Sequence, residues 1–196
     1  MVNQKRTKED ILKAVIGTVH RQGLIATSLN QLFTLSGASS GSFYNYFRSK
    51  NELGHALIDF EWELLSSSVL EPAQQDSDDP IDQVFAILDR LEAKNLEQPN
   101  CGGCLLGNLV VDLVEQDPSF REHLTRIFDQ WEQTIAQALT RAQDRLRPGI
   151  HPATLAEQIL TIVEGTMLMG RLRHEPERIR RGFASAKQLV HSALIA

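Results

Sequence analysis

The chain has 196 residues, 42% hydrophobic and 23% charged, which suits one large folded domain or a small domain joined to a larger one. No apolar run approaches the ~20 residues of a membrane span, no apolar stretch follows the basic N-terminus as a secretory signal requires, and two cysteines are too few for a disulfide scaffold. These exclusions point to a cytoplasmic protein without a membrane partner. The net charge of −5 is unevenly spread: residues 1–55 hold seven Lys/Arg against three Asp/Glu, and the remainder thirteen against twenty-two. A basic head on an acidic body suggests a polyanion partner at the head.

Apolar residues recur with the helical period almost throughout, and no alternating strand pattern of useful length occurs, so the fold class is all-α. Thr7, with Asp10 three residues on, caps a first helix carrying Ile11, Leu12, Val15, Ile16 and Val19, which ends at Gly23. Thr27 or Ser28 opens a short second helix (Leu29, Leu32, Phe33), stopped at Gly37. A short third helix spans about Ser39 to Phe47, and Ser49 caps a fourth carrying Leu53, Leu57, Phe60, Leu64 and Leu65. "EPAQQDSDDP", Glu71 to Pro80, reads as a loop. Helix five follows (Ile81, Val84, Phe85, Leu88, Leu91), then helix six after "NCGGC" (Leu105, Leu106, Leu109, Val110, Leu113). Asp117-Pro118 starts helix seven, His151-Pro152 helix eight and Pro176 helix nine. Nine helices result, with the boundary inside helix four: a head over 1–53 and a body over 54–196.

"GASSGSFYNYFRSKNEL", Gly37 to Leu53, is poor material for a core helix, because Gly and Ser weaken helix interiors. Helix two, the turn at Ser36-Gly37-Ala38 and helix three have the proportions of a helix-turn-helix, whose second helix enters the major groove by its N-terminal end. Ser39, Ser40, Gly41 and Ser42 would let the backbone approach DNA closely and offer hydroxyls. Tyr44, Asn45 and Tyr46 lie within reach of the duplex, Phe43 and Phe47 turn back to the core, and Lys50 and Ser28 stand at helix starts, where anions are favoured.

The same stretch resembles the signature of the TetR family of bacterial repressors, G-V-S-x-G-x-L/F-Y-x-H/Y-F-x-S/N-K-x-x-L. Gly37, Ser39, Gly41, Phe43, Tyr44, Tyr46, Phe47, Ser49, Lys50 and Leu53 fit it, and "GLIATSLNQL" is similar to the family's start of helix two. Phe33 departs from it, standing where the family usually has alanine. The resemblance implies a three-helix DNA-binding head and a six-helix ligand-binding and dimerisation body. The expected function is a repressor that binds a palindromic double-stranded operator as a homodimer.

In the body, Cys101 and Cys104 form C-x-x-C at the start of helix six, where the helix dipole favours a thiolate. They are either buried small hydrophobes or a redox or electrophile sensor. "GCLLGNL" resembles the sixth helix of TetR-type repressors that respond to electrophiles and reactive chlorine. A structural metal site is not expected, since the pair lacks further ligands, and no cofactor motif occurs. Trp62, Phe85, Phe128, Trp131 and Met167 are candidates to line a pocket for a small-molecule inducer, with Asn108 or Glu164 as polar contacts. Gly165, Thr166, Met167, Met169 and Gly170 give helix eight a small, flexible face suited to a dimer interface or to closing the monomer core. The rival reading is a thiol-disulfide oxidoreductase built on Cys101 and Cys104, but that motif belongs at a strand-to-helix junction. No other catalytic constellation is present, so an enzyme is not expected.

Overall fold

A computed structural model describes residues 6–98 and 102–195. Among these, α1 spans Lys8–Gln22, α2 Leu29–Ser36, α3 Ser40–Tyr44, and α4 starts at Lys50. Each start is built from local side chains. Thr7 and Asp10 form a reciprocal capping box on α1, Ser28 and Gln31 form one on α2, and Ser39 and Ser49 cap α3 and α4 through their hydroxyls. The turn between α2 and α3 depends on Gly37, whose φ of 62° lies in the left-handed region that costs other residues ~1 kcal/mol or more.

α4 runs as Lys50–Leu65, passes through a π-helical turn at Ser66–Leu70 and ends in Glu71–Gln75. The expected loop therefore starts five residues late, after Gln75. Ser67 and Ser68 donate their hydroxyls to the Glu63 and Leu64 carbonyls, and the wide turn suspends the regular hydrogen-bond pattern just before Pro72. A proline without an N–H is tolerated there, so the helix passes a residue that reads as a breaker. The body continues with α5 (Pro80–Glu97), α6 (Leu105–Leu113), α7 (Pro118–Arg141), α8 (Pro152–Arg173) and α9 (Pro176–Ala193). With α4 taken as one run, the described residues form nine α-helices in an all-α fold. A 3-10 turn at Gln143–Arg145 and a single bridge between Leu146 and Leu194 complete it.

One continuous core joins head and body. Ile11, Val15, Leu32, Phe43, Phe47 and Leu57 are fully buried in the head, while Trp131, Phe120, Phe183, Ile159 and Val163 fill the body. Thr166, Met167 and Gly170 of α8 turn into this core, and Gly182 of α9 packs directly on Thr166. Three of the five residues of that small face therefore pack inside the monomer, while Gly165 is exposed and Met169 half-buried. The stripe left uncovered is Thr161, Gly165, Leu168 and Leu172.

Among the described residues α4 is the helix of the head that continues into the body, and its packing there is specific. Gly54 leaves room for Leu24 on one side and Phe120 of α7 on the other, since a Cβ at that position would come within 3 Å of both. The next residue, His55, stacks on Phe120 with ring centroids 4.3 Å apart. His55 Nδ1 lies 2.9 Å from His123 Nδ1, and His55 Nε2 3.0 Å from Ser119 Oγ. His123 Nε2 lies 2.7 Å from Asp59 Oδ1. No helix among the described residues is long and apolar enough to cross a membrane.

Candidate functional site

α3 has five residues, too few to hold a helix by propensity, so its place is set by anchors. Phe43 and Phe47 have no exposed surface, and Phe33 of α2 meets Phe43 edge to face at 5.1 Å. Phe33 therefore braces the two helices of the motif where the family usually has alanine. With the aromatic side held, the opposite side faces solvent: Ser39, Ser40, Gly41 and Asn45 are exposed, Tyr44 is 46% exposed, and Ser42 and Tyr46 are half-buried. A Cβ on Gly41 would meet nothing within 4 Å, so the fold itself does not demand glycine there.

The hydroxyls of this face are already in use as acceptors. Ser39 Oγ accepts from the Ser42 amide at 3.2 Å, and Ser28 Oγ from the Gln31 amide at 3.2 Å. Each keeps its own proton to donate elsewhere. Lys50 donates through Nζ to the Ile25 carbonyl at 2.9 Å, which leaves two further protons on the ammonium. Burial pulls its pKa below the ordinary lysine value, with the Asp112 charge opposing.

A contact absent from the sequence reading joins head to body. Asp112 of α6 accepts from the Leu24 amide at 2.6 Å and from the Ile25 amide at 3.1 Å. Nearby, Asn108 Nδ2 donates to the His20 carbonyl at 3.4 Å and Arg171 of α8 to the Arg21 carbonyl at 2.8 Å. The C-terminal end of α1 and the loop after it are thereby held by the body.

The other side of α6 lines a cleft of about 560 Å³ between α6, α7 and α8. Val110, Val111, Leu124, Phe128 and Leu168 supply its apolar wall, and Asn108, Cys104 and Glu164 its polar floor. Of the residues expected at a ligand pocket, Asn108, Glu164, Phe128 and Cys104 meet here. Trp131 and Met167 sit behind, on a small internal cavity of about 20 Å³ that Cys104 also borders. Trp62 and Phe85 line neither; Phe85 packs on His191 of α9 at 4.6 Å. Cys101 lies outside the described residues. The cavity is mostly apolar, but the buried Asn95 amide and Trp131 Nε1 beside it lack hydrogen-bond partners among the described residues.

Glu164 is the most perturbed carboxyl of the body. Burial raises it from 4.5 to about 7, opposed by a hydrogen bond from the Cys104 thiol. Its Oε1 is sealed from solvent without a hydrogen-bond partner among the described residues. A side chain on Gly107 would collide with this carboxyl, so glycine makes its room. Cys104 departs from the expected thiolate. Sγ accepts from the Gly107 amide at 3.4 Å, yet burial, then Glu164, drive its pKa well above the ordinary thiol value. The helix-dipole effect, under ~1 kcal/mol for a typical site, loses to desolvation. A lone carboxylate within "TIVEGTMLMG" was the available sequence signal for Glu164, whereas nothing local marks Asp112.

Comparison with known proteins gives the same architecture a lineage. Residues 11–57 match the family model "Bacterial regulatory proteins, tetR family", and residues 80–186 match "Tetracyclin repressor-like, C-terminal domain". An uncharacterized HTH-type transcriptional regulator in the lacX 3' region of Lactococcus lactis is 27% identical, over 92% of this chain and 91% of its own. The HTH-type transcriptional repressor NemR of Escherichia coli is a distant relative, 20% identical over 95% of this chain and 96% of its own. The crystal structure of a TetR family regulator from Cytophaga hutchinsonii superposes with a TM-score of 0.84 at 19% identity, covering 100% of this chain and 98% of that one. The head motif, the helical body and both family matches agree: this chain belongs to the TetR family of DNA-binding transcriptional regulators, a family of regulators and not of enzymes.

Proposed function

We propose that the chain is a cytoplasmic repressor that binds a palindromic operator as a homodimer and releases it when an inducer occupies the body. In this reading residues 1–53 are the DNA-binding unit and 54–196 the ligand-binding and dimerisation unit. Ser39, Ser40, Gly41, Ser42, Tyr44 and Asn45 face the groove, with Gly41 admitting the backbone to the duplex. Ser28, Tyr46 and Lys50 take flanking phosphates. The uncovered α8 stripe of Thr161, Gly165, Leu168 and Leu172, spaced by four, three and four residues, pairs with its copy and with α9 across a two-fold axis, and Gly165 and Leu168 then stand where this seam meets the cleft. Leu168 and Leu172 are 56% and 65% exposed, an unusual state for leucines on one helical stripe.

The observation that carries the inducer reading is the double role of α6. One side lines the cleft through Asn108, Val110 and Val111, and the same helix holds the head through Asp112 and Asn108. A ligand that shifts α6 changes where the two heads stand, and the fit to half-sites about 34 Å apart is lost. Modification of Cys104 or Cys101 is the second route to release. The raised thiol pKa of Cys104 favours a reversible ligand over reaction at that residue.

Selection of bound sequences from a random duplex pool tests the reading. The expected outcome is a two-fold symmetric motif whose binding falls steeply with salt and is lost in Tyr44→Ala. Binding without sequence preference, or unaffected by Tyr44→Ala, refutes it. Repeating the selection after maleimide labelling decides the cysteine route, which fails if fully labelled protein still binds.

A further inference from the structure

The cleft is apolar on its walls and acidic elsewhere. Besides Glu164 on its floor, Asp129 and Glu132 of α7 lie along it. The Glu132 pKa is raised by partial burial and then by the charges of Glu157 and Asp129, which shows that acids crowd this edge. The single cation of the lining, Arg121, is paired with Glu115 at 2.5 Å. The cleft therefore holds three carboxyls and one neutralised guanidinium. Glu164 Oε1 has no hydrogen-bond partner among the described residues, the Cys104 thiol being the group's recorded support, and a bound positive charge offsets the cost of ionising the carboxyl against hydrocarbon.

From this geometry we infer that the cleft binds an organic cation, a molecule with a bulky apolar body and one delocalised positive charge placed against Glu164. The wall of Val110, Val111, Leu124 and Leu168 takes the body, and Phe128 adds an aromatic ring to the same lining. A metal ion does not suit the site: among the described residues no cluster of three potential ligands exists, and about 560 Å³ is the volume of a drug-sized molecule. An anion would meet three acids. A hard, fully hydrated ammonium would lose its water against a wall that returns few hydrogen bonds, which favours a diffuse charge over a compact one.

The inference deepens the inducer reading and rests on it only for its biological consequence, since binding is measurable without DNA. Tetraphenylphosphonium and tetraphenylborate have nearly the same shape and opposite charge. Titration calorimetry of both against the full-length protein at pH 8, where Glu164 is mostly ionised, is the direct test. Tetraphenylphosphonium is expected to bind at least tenfold tighter than tetraphenylborate, and Glu164→Gln to weaken it at least tenfold without weakening the borate. Equal affinities, tighter borate binding, or a folded Glu164→Gln protein that keeps its phosphonium affinity would overturn the assignment. If Glu164→Gln does not fold, the Asp129→Asn/Glu132→Gln double variant decides: at least threefold weaker phosphonium binding is expected, and no change refutes it. A mobility-shift assay on the selected operator then separates the two ideas. Cation binding without operator release leaves the cleft assignment standing and refutes its role as the inducer site.

Discussion

Asp112→Ala removes the carboxylate that receives the Leu24 and Ile25 amides, and among the described residues neither amide has another acceptor. Leu24 is 1% exposed, so its N–H loses a partner in a place water reaches poorly, whereas Ile25 is 50% exposed and can turn to solvent. Hydrogen bonds to a charged group contribute about 1.5–3 kcal/mol each. With the solvated Ile25 bond discounted, the head loses about 2–3 kcal/mol of attachment to α6. That free energy corresponds to a factor of about 30 to 150 in an equilibrium constant. Amide hydrogen exchange of Leu24, followed by NMR, is expected to accelerate by that factor, with Asp112→Asn in between. The same loss lowers the melting temperature by about 4–12 °C. It is also as large as a whole allosteric coupling, so inducer-dependent release is expected to collapse while operator binding by the freed head persists. Leu24 exchange within twofold of the parent would refute the assignment of Asp112 as the latch between head and body.

Three further outcomes follow from the same geometry. Phe43→Ala empties a fully buried site between α2 and α4 and is expected to cost about 3–5 kcal/mol, read by denaturant unfolding, with DNA binding lost alongside. Gly37→Ala forces a side chain into a left-handed turn at φ 62° and is expected to cost about 1–2 kcal/mol, whereas Gly41→Ala, with open space around it, is expected to leave stability within ~0.5 kcal/mol. Glu164 has a folded pKa raised to about 7, so the native state holds its proton longer than the unfolded chain does. Its contribution to stability falls as pH rises between about 4.5 and 7 and stays low above that, a cost on the order of 3 kcal/mol. Glu164→Gln is therefore expected to raise the melting temperature at pH 8 and to change it little at pH 4.

The head was legible because its signals are local. Thr7 with Asp10, Ser28 as one of two candidate caps, Gly37 and the Phe43/Phe47 pair each act locally, and the structure uses each of them as the pattern implies. The end of α4 was misread because Pro72 is a local signal overruled by the π-helical turn before it. The body sites were harder for a different reason. Asp112 sits in "LVVDLVE", where an acid on an amphipathic helix reads as solvent-facing, and its partners lie 87 and 88 residues earlier. Thr166 and Gly170 lie on a small face that reads more readily as interface than as core, and the closeness of Gly182 to Thr166, with the burial of Thr166 and Gly170 themselves, places them in the core. Likewise, residue type alone places aromatic Trp62 and Phe85 in a pocket as readily as Phe128, while helix packing puts only Phe128 at the cleft.

The paired rings of His55 and His123 set a proton count at the junction of α4 and α7. Asp59 accepts at His123 Nε2, so in the neutral pair His123 Nδ1 carries no proton and His55 Nδ1 donates to it. His55 Nε2 then accepts from the Ser119 hydroxyl. Adding one proton at His55 Nε2 turns Ser119 from donor to acceptor and leaves every contact in place. Adding another sets two N–H groups against each other across 2.9 Å. One added proton at His55 is thus accommodated without breaking a contact of the junction. Burial, and then the neighbouring His123, hold His55 below the ordinary imidazole pKa, so even the first proton arrives only in acid.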